Sequence, residues 1–416
     1  MKRMRMLYDL ATNFDDELIR RVAPYGVVKS LYGKLQKDIV GGGRPSFAIG
    51  PVSEKQLERH IDVAHEHGMK FSYLFNALCS DNREFAGRTN GQMRDFVKHL
   101  QNIGVDIITI GSPFMLQLVK DVAPEMGTCV SVYNDVDSTE RIRAWEQMGA
   151  DELTLHYGFN RSFKKLAQAL KATDLNLRII ANNTCLHDCI YRTNHANALA
   201  HSSQSKHESD GFFLDFYSLN CGMEKFESPG KFIAADWIRP EDVHHYEELC
   251  ESLGKTNLTF KLTERSRPTD WLVRVVKAYA EQSYDGNLFD ILNYRTAEFA
   301  NVQKSTFVRG ALMGKARVGK MREMQKAVFP TPVYVDNKSL EGFMEPFLRG
   351  HDCSAEVCGV DGWGVEDPKD TKGSCSYCRT IAEQYLRFNG GESARQEAID
   401  NARRSVSDLV SGEMFR

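Results

Sequence analysis

The chain lacks the features of an exported or membrane-embedded protein. No apolar run approaches the roughly 20 residues that a helix needs to cross a bilayer. The basic start, Met1 to Arg5, resembles the beginning of a signal peptide, but Asp9, Asp15 and Asp16 stand where its apolar segment would lie. We therefore expect a cytoplasmic protein.

A large excess of charge of one sign is also missing. The 416 residues include 53 Lys and Arg against 56 Asp and Glu, which gives a formal net charge of −3. A balance this close to neutral provides no overall attraction to nucleic acid or to anionic membranes. Nucleic acid is therefore not supported as a partner, although a local basic groove would still permit it, and no membrane partner is expected.

Several catalytic motifs are absent as well. Gly41 to Gly43 lack the spacing of a dinucleotide-binding loop, and the chain has neither the His-Glu-x-x-His pattern of zinc proteases nor the Gly-x-Ser-x-Gly elbow of serine hydrolases. A radical-SAM site would require a third cysteine three residues after Cys189, where Arg192 stands. These absences weigh against dinucleotide chemistry, radical-SAM chemistry and the common protease mechanisms.

The first 300 residues alternate short β-rich runs with amphipathic helical stretches, the pattern of a parallel sheet with crossover helices. Eight such repeats favour a TIM-type (β/α)8 barrel, with an open doubly wound sheet as the alternative. The predicted strands are 27–31, 70–75, 106–110, 129–133, 152–155, 177–181, 232–235 and 259–262. We expect the barrel with the active site in 1–300, an inserted loop at about 193–230, and a C-terminal cysteine-rich extension in 301–416.

Ten cysteines in a reducing compartment more often bind metal or do chemistry than form disulfides. Cys185 and Cys189 lie four positions apart just after a predicted strand, and Cys221 follows across a polar segment that contains several histidines. Three thiolates at a barrel mouth suit a [4Fe–4S] cluster with a fourth ligand from elsewhere. A zinc ion and ordinary buried thiols are the alternatives.

The extension carries a second group of four cysteines. Cys353 and Cys358 form one pair, and Cys375 and Cys378 form another. Both zinc and a second [4Fe–4S] cluster accept four cysteine sulfurs tetrahedrally, so this spacing predicts a four-thiolate site without choosing between them. A third possibility is that one of these cysteines completes the cluster in the barrel.

In a barrel, catalytic groups project from the C-terminal ends of the strands. His156 and His187 follow predicted strands and could move protons, with a loop cap or a hydrogen bond that orients a ligand as the ordinary alternatives. Arg239, Arg265 and Arg267 also follow strands. We expect them to bind carboxylates, with salt bridges inside the chain as the alternative.

These features together resemble the collagenase-like peptidase U32 family over about residues 25–300. The most specific piece is Cys185-x-x-x-Cys189-x-Tyr191-Arg192-x-x-His195. Further matching pieces are 56–76, 100–113, 130–150, 237–242, 261–267, 278–279 and 284–287. Proteins of this family resemble TIM-type barrels, and several members hold a [4Fe–4S] cluster near the substrate. The resemblance implies that Cys185, Cys189 and Cys221 belong to the cluster region.

The resemblance also implies a function. Several family members take part in oxygen-independent hydroxylation of ubiquinone precursors or RNA, in which prephenate can be the oxygen donor. We expect an iron–sulfur enzyme that performs hydroxylation or related redox chemistry on a small anionic or biosynthetic substrate, with a prephenate-like donor. The alternatives are a metal-dependent U32 peptidase and a non-catalytic, cluster-bearing partner of a related U32 subunit.

Overall fold

Eight parallel strands form a closed barrel in the computed structural model, which describes residues 4–44, 50–208, 214–294, 314, 316–328, 331–353 and 376–416. Each strand pairs with the next along the chain, and the first also pairs with the eighth, which closes the sheet. The strands are β1 Leu7–Ala11, β2 Val28–Gly33, β3 Lys70–Phe75, β4 Ile107–Ile110, β5 Gly127–Val130, β6 Glu152–Thr154, β7 Asn176–Ile180 and β8 Leu258–Leu262. The closure confirms the predicted TIM-type barrel and excludes the open sheet.

Helices connect the strands on the outside of the barrel. Serine residues begin several of them: the side chains of Ser53, Ser112 and Ser138 each accept a hydrogen bond from a backbone N–H three residues later. The helices of this part are α1 Asp16–Val22, α2 Glu54–Glu66, α3 Gly87–Asn102, α4 Pro113–Val122, α5 Thr139–Gln147, α6 Phe163–Ala172, α7 Arg192–His201, α10 Val243–Leu253 and α11 Thr269–Glu281. Each connection returns the chain to the same end of the barrel, so that all eight strands are parallel.

The interior of the barrel is polar. Side-chain hydrogen bonds link neighbouring strands, from Asp9 to Ser30 and from Ser72 to Thr109, and all four residues are buried. Barrel interiors are usually filled by branched apolar side chains, which need no partners. Each buried polar group requires a hydrogen-bonding or ionic partner. The inside of this barrel is therefore suited to contain charged side chains.

The predicted strands differ from the structure in two places. The predicted strand 232–235 is the helix α9, Gly230–Ala234, and the strand that completes the barrel is β1, which the sequence pattern did not reveal. The apolar run around Phe232 and Ile233 is buried against other elements as a helix face. Short apolar runs do not distinguish a buried strand from a buried helix.

The chain divides into two compact units. The barrel unit comprises Met1–Asn182, Arg192–Gly211 and Ile238–Ser283, and the cysteine unit comprises Asn183–Tyr191, Phe212–Trp237 and Tyr284–Arg416. The segment predicted as an inserted loop at about 193–230 is largely helical, with α7 in the barrel unit and α8, Phe216–Glu227, in the cysteine unit. The second unit therefore takes in short segments well before residue 301.

The cysteine unit has its own apolar core. Leu219 of α8 packs with Met321, Met324 and Ala402, and Met414 closes the cluster. The elements of this unit that follow α9 are α12 Val318–Val328, β9 Val333–Tyr334, α13 Glu345–Leu348, α14 Ser376–Tyr385, β10 Arg387–Phe388 and α15 Gly391–Ser411. In the described part of the chain, no helix combines the length and the apolar character that a membrane span requires.

Candidate functional site

The paired cysteines lie in the loop Asn183–Tyr191 of the cysteine unit. The backbone N–H of Cys185 donates to Oδ1 of Asn183 over 3.0 Å, which turns the chain just before the first thiol. Cys185 is exposed, and Cys189 is half-buried. Between them Asp188 has φ 46°, a left-handed conformation that a non-glycine residue adopts only in a constrained turn. The loop therefore presents both thiols on a fixed backbone.

Tyr191 relates the paired cysteines to the third one. Its hydroxyl donates to Oε1 of Glu224 over 2.8 Å. Burial, the hydrogen bond to Glu224 and the nearby thiols of Cys189 and Cys221 raise the pKa of Tyr191 to about 12. Cys221, on α8, is therefore brought close to the loop in space, although 32 positions separate it from Cys189 in the sequence.

His187 lies between the paired cysteines in the sequence, and both of its ring nitrogens have hydrogen-bond partners. Nδ1 lies 3.0 Å from Oδ2 of Asp236, and Nε2 lies 2.9 Å from the backbone oxygen of Cys353. Burial lowers the pKa of His187, but the attraction and hydrogen bond of Asp236 outweigh it, and the pKa rises to about 9. Both nitrogens then donate, and the ring is a cation that ties Cys353 to the loop.

The structure describes two of the four cysteines that the sequence predicted as a tail site. Cys353 is half-buried, and Cys378 is buried in α14. Cys358 and Cys375 lie outside the described residues. Whether the four form one site stays a prediction. The described geometry instead associates Cys353 with the loop that carries Cys185 and Cys189, through His187.

The cysteines of this unit are possible ligands of a [4Fe–4S] cluster or of a zinc ion. Around a zinc ion, Zn–S bonds of about 2.3 Å place thiolate sulfurs roughly 3.8 Å apart. Within the described residues, the sole group of three His, Cys, Asp or Glu ligand atoms within 4.8 Å of one another contains no cysteine. Ligands of a [4Fe–4S] cluster lie farther apart because the iron–sulfide core separates them, so the cluster stays a prediction beside the zinc ion.

In the barrel unit, Arg178 of β7 is the centre of a buried charge network. Its Nε lies 2.8 Å from Oδ2 of Asp9, one terminal nitrogen lies 3.2 Å from Sγ of Cys129, and the other pairs with Glu152. These contacts reach β1, β5 and β6, so the guanidinium lies inside the barrel. The alternation of polar residues along the strands was the signal in the sequence that could have revealed this network.

Arg265, three residues past β8, is buried with unpaired terminal nitrogens in the described part of the chain. It is 4% exposed, and both terminal nitrogens lack a hydrogen-bond partner among the described residues. Burial and the neighbouring Arg44 lower its pKa to about 10, while Tyr32 and other nearby tyrosines partly oppose this. A buried cation in this state is costly and provides a site for an anion.

Glu264, just before Arg265, fixes the direction of this loop. One of its carboxylate oxygens pairs with Arg44 over 3.1 Å, and the other accepts from the hydroxyl of Ser266 over 2.6 Å. Its φ is 98°, which is strained for a residue with a side chain. The strain is maintained by these contacts, and it positions the buried guanidinium that follows.

The other predicted residues have different environments. The guanidinium of Arg239 makes a two-point contact with Asp242, at 2.9 and 2.7 Å, inside the protein. Arg267 lies 4.9 Å from the ring centre of Trp271. Nδ1 of His156 accepts the N–H of Gly158 over 3.0 Å, so its ring proton is on Nε2. The guanidinium of Arg239 is therefore occupied by Asp242, whereas Arg265 and His156 are the predicted residues suited to contact a substrate.

A further group of possible ligands lies at the start of α10. His244, His245 and Glu248 bring three ligand atoms within 4.8 Å of one another. Nδ1 of His244 donates to the backbone oxygen of Glu241 over 2.7 Å, which leaves Nε2 free to bind a metal. This group has no recognisable signal in the sequence, because adjacent histidines match none of the common zinc motifs.

Comparison with known proteins adds independent information. The family model of peptidase family U32 matches residues 47–285. An uncharacterized protease of Methanocaldococcus jannaschii is 26% identical over 257 residues, which are 62% of this chain and 73% of that protein. A solved U32 peptidase structure covers 64% of this chain and 96% of that chain, with a TM-score of 0.47 and 16% identity.

Other relatives are described as tRNA hydroxylation proteins and not as proteases. The tRNA hydroxylation protein P of Escherichia coli is 25% identical over 154 residues, which are 34% of this chain and 31% of that protein. The tRNA hydroxylation protein P2 of Bacillus subtilis is 20% identical over 250 residues, which are 58% of this chain and 77% of that protein. The chain thus spans less than a third of the first of these relatives and most of the second.

Proposed function

The chain belongs to peptidase family U32, and from that membership we propose that it is an iron–sulfur-dependent enzyme for oxygen-independent hydroxylation or related redox chemistry. The substrate would be a small anionic or biosynthetic compound. The observation that carries the proposal is that Cys185, Cys189, Cys221 and Cys353 belong to one compact unit, in which His187 contacts the backbone oxygen of Cys353 and Tyr191 lies near Cys189 and Cys221. Four cysteine thiolates are the usual ligands of a [4Fe–4S] cluster.

In this proposal the four cysteines hold the cluster, with Cys353 as the fourth ligand. A bound cluster would supply electron transfer and an iron that activates an oxygen donor. His187 offsets the negative charge of the thiolates and holds the backbone of Cys353 in place. Because both of its nitrogens donate, His187 orients the loop and does not act as a base.

The barrel unit by itself offers a site for a carboxylate-bearing compound, a substrate or an oxygen donor. Arg265 offers two unpartnered nitrogens, the arrangement that binds a carboxylate through two parallel hydrogen bonds. Proton transfer is assigned to Nε2 of His156, which is half-buried at the end of β6. A prephenate-like compound has the carboxylates that this site requires. An RNA substrate, suggested by the names of two relatives, is an outcome that the experiment must distinguish.

The proposal is tested on protein purified without oxygen, supplied with a carboxylate-bearing donor and either small aromatic acceptors or tRNA. We expect visible absorbance of a cluster and a hydroxylated product with the native chain. The double variant Cys185→Ala, Cys189→Ala should lose both, whereas Cys250→Ala, a buried thiol on α10 of the barrel unit, should keep both. A double variant that retains absorbance and turnover would contradict the proposal.

A second candidate function is a metal-dependent peptidase, favoured by the group His244, His245 and Glu248. Two imidazoles and one carboxylate are the ligands of many catalytic zinc sites, which leave one position for water. The M. jannaschii relative is described as a protease, which agrees with this reading.

The peptidase reading predicts that zinc-loaded protein cleaves members of a peptide panel under air. His244→Asn and Glu248→Gln should abolish cleavage, while the cysteine variants should leave it unchanged. Cleavage lost in the cysteine variants and kept in His244→Asn would exclude this second candidate.

A further inference from the structure

Helix α8 contacts both ends of the loop that carries the paired cysteines. At the start of the loop, Nζ of Lys225 donates to the backbone oxygen of Thr184. At its end, the hydroxyl of Tyr191 donates to Oε1 of Glu224 over 2.8 Å. Both helical residues and the whole loop belong to the cysteine unit. Two neighbouring residues of one helix therefore fix the loop at two separate points.

The contact of Lys225 acts on the peptide group of the first thiol. The oxygen of Thr184 belongs to the peptide bond that joins Thr184 to Cys185, a planar group whose atoms move together. The N–H of the same peptide group donates to Oδ1 of Asn183 over 3.0 Å. Both polar atoms of this peptide group thus have partners, which fixes the direction in which the side chain of Cys185 leaves the backbone.

The third cysteine lies on the same face of α8. On a helix, residues three and four positions apart are neighbours on one side. Cys221 stands three positions before Glu224 and four before Lys225, and both of these residues contact the loop. Cys221 therefore faces the loop as well. The lysine that holds the backbone of Cys185 comes from the helix face that carries Cys221.

Lys225 is a buried cation that forms no ion pair within the described residues. It is 7% exposed, and its Nζ lies 5.9 Å from the centre of the buried Phe232 ring. The neighbouring Glu224 pairs instead with Lys231 of α9, over 2.7 Å. Neither a backbone oxygen nor a ring face neutralises a full positive charge in a protein interior. The negative charge that completes this region must therefore come from an ionised thiol or a bound group.

We propose that Lys225 is a positioning residue for a thiolate metal site: it fixes the peptide group of Cys185 and supplies positive charge that metal-bound thiolates require. Thiols release their protons when they bind a metal. Four thiolates leave either a zinc ion or a [4Fe–4S] cluster with a net negative charge. The inference deepens the proposed function and rests on it for the cysteine site, but it holds for either metal group.

The test measures cadmium binding by the full chain, freed of iron and zinc, through the ultraviolet absorbance of cadmium–thiolate bonds. The relevant signal is the part that the double variant Cys185→Ala, Cys189→Ala loses. We expect Lys225→Met, which keeps a side chain of similar length but removes the donor and the charge, to weaken this binding about tenfold or more. Lys225→Arg, which keeps both, should restore most of the affinity.

The matched control is Lys320→Met. Lys320 belongs to the same unit and pairs with Asp408 over 2.9 Å, so its replacement also removes a lysine charge but should leave cadmium binding unchanged. A second readout requires no metal. Hydrogen exchange of the peptide that spans the loop should be faster in Lys225→Met than in the native chain and in Lys320→Met, because the peptide group of Cys185 loses one of its two partners.

If Lys225→Met does not fold, Lys225→Gln takes its place, because its amide keeps a donor on a shorter side chain and lacks the charge. It should bind cadmium more weakly than Lys225→Arg. Native affinity in the folded Met or Gln variant, or an equal loss in Lys320→Met, would overturn the inference. A chain that forms no iron–sulfur cluster but binds cadmium in a manner that depends on Lys225 would contradict the proposed function and support this inference.

Discussion

At the scale of single residues, the account depends most on the unpaired charge of Arg265. A site that holds a buried cation for a ligand does so at the expense of stability. Arg239 is the useful comparison, because it is equally buried but already paired with Asp242. Both arginines follow predicted strands, but the strand predicted before Arg239 is helix α9, and only the structure separates the environments of the two residues.

We therefore expect Arg265→Met to raise the free energy of unfolding by about 1 kcal/mol in the absence of ligand, because it removes an uncompensated buried charge. Arg239→Met should instead lower it by roughly 3 kcal/mol, because Asp242 is left buried and unpaired. Urea denaturation of both variants measures the difference. Equal destabilisation by the two substitutions would mean that Arg265 has a partner.

The strained backbone at Glu264 gives a second prediction at this scale. Glu264→Ala loses the carboxylate contacts and keeps a side chain at φ 98°, whereas Glu264→Gly loses the contacts and relieves the strain. We expect the glycine variant to be more stable than the alanine variant by about 1 kcal/mol. Thermal unfolding provides the comparison, and an alanine variant that is the more stable of the two would refute the strain.

At the scale of elements, β1 shows why part of the barrel was missed. Its sequence, Leu7 to Ala11, has an aspartate at its centre, and a charged residue argued against a buried strand. In the structure Asp9 points inward and pairs with Arg178, so the charge is compensated by a strand that lies far away in the sequence. A tertiary ion pair of this kind is not visible in a local pattern.

Asp9→Ala should consequently destabilise the barrel by roughly 3 kcal/mol, because Arg178 loses a buried partner. The matched control is Asp174→Ala, which removes the exposed partner of Lys255 and should cost under about 1 kcal/mol. Chemical denaturation of the two variants tests this. If neither substitution lowers the free energy of unfolding by more than the error of the measurement, the network inside the barrel does not stabilise it.

The cysteine loop is the second element with a distinct prediction. Asp236 lies 3.0 Å from Nδ1 of His187 and fixes its ring, whereas Asp188 is exposed and lies 3.3 Å from Nε2. Partners that orient a ligand environment affect metal affinity by roughly 10- to 100-fold. Asp236→Asn should therefore lower the iron retained after gel filtration, and Asp188→Asn should retain it. The reverse order would remove His187 from the proposed site.

At the scale of the whole molecule, the sequence predicted the barrel well because each repeat has its own local signal. Seven of the eight predicted strands overlap observed strands. The division of the chain was harder to predict, because the cysteine unit collects segments from three separate places. Spacing alone could not reveal that Cys353 approaches the loop of Cys185.

The most direct test of the account is the iron, sulfide and zinc content of the anaerobically purified chain, with EPR spectra, beside the variant Cys353→Ser. The account predicts about four irons and matching sulfide per native chain, with loss or alteration of the EPR signal in the variant. About eight irons would indicate a second cluster among the tail cysteines. Zinc without sulfide in the native chain would contradict the central claim and favour the peptidase.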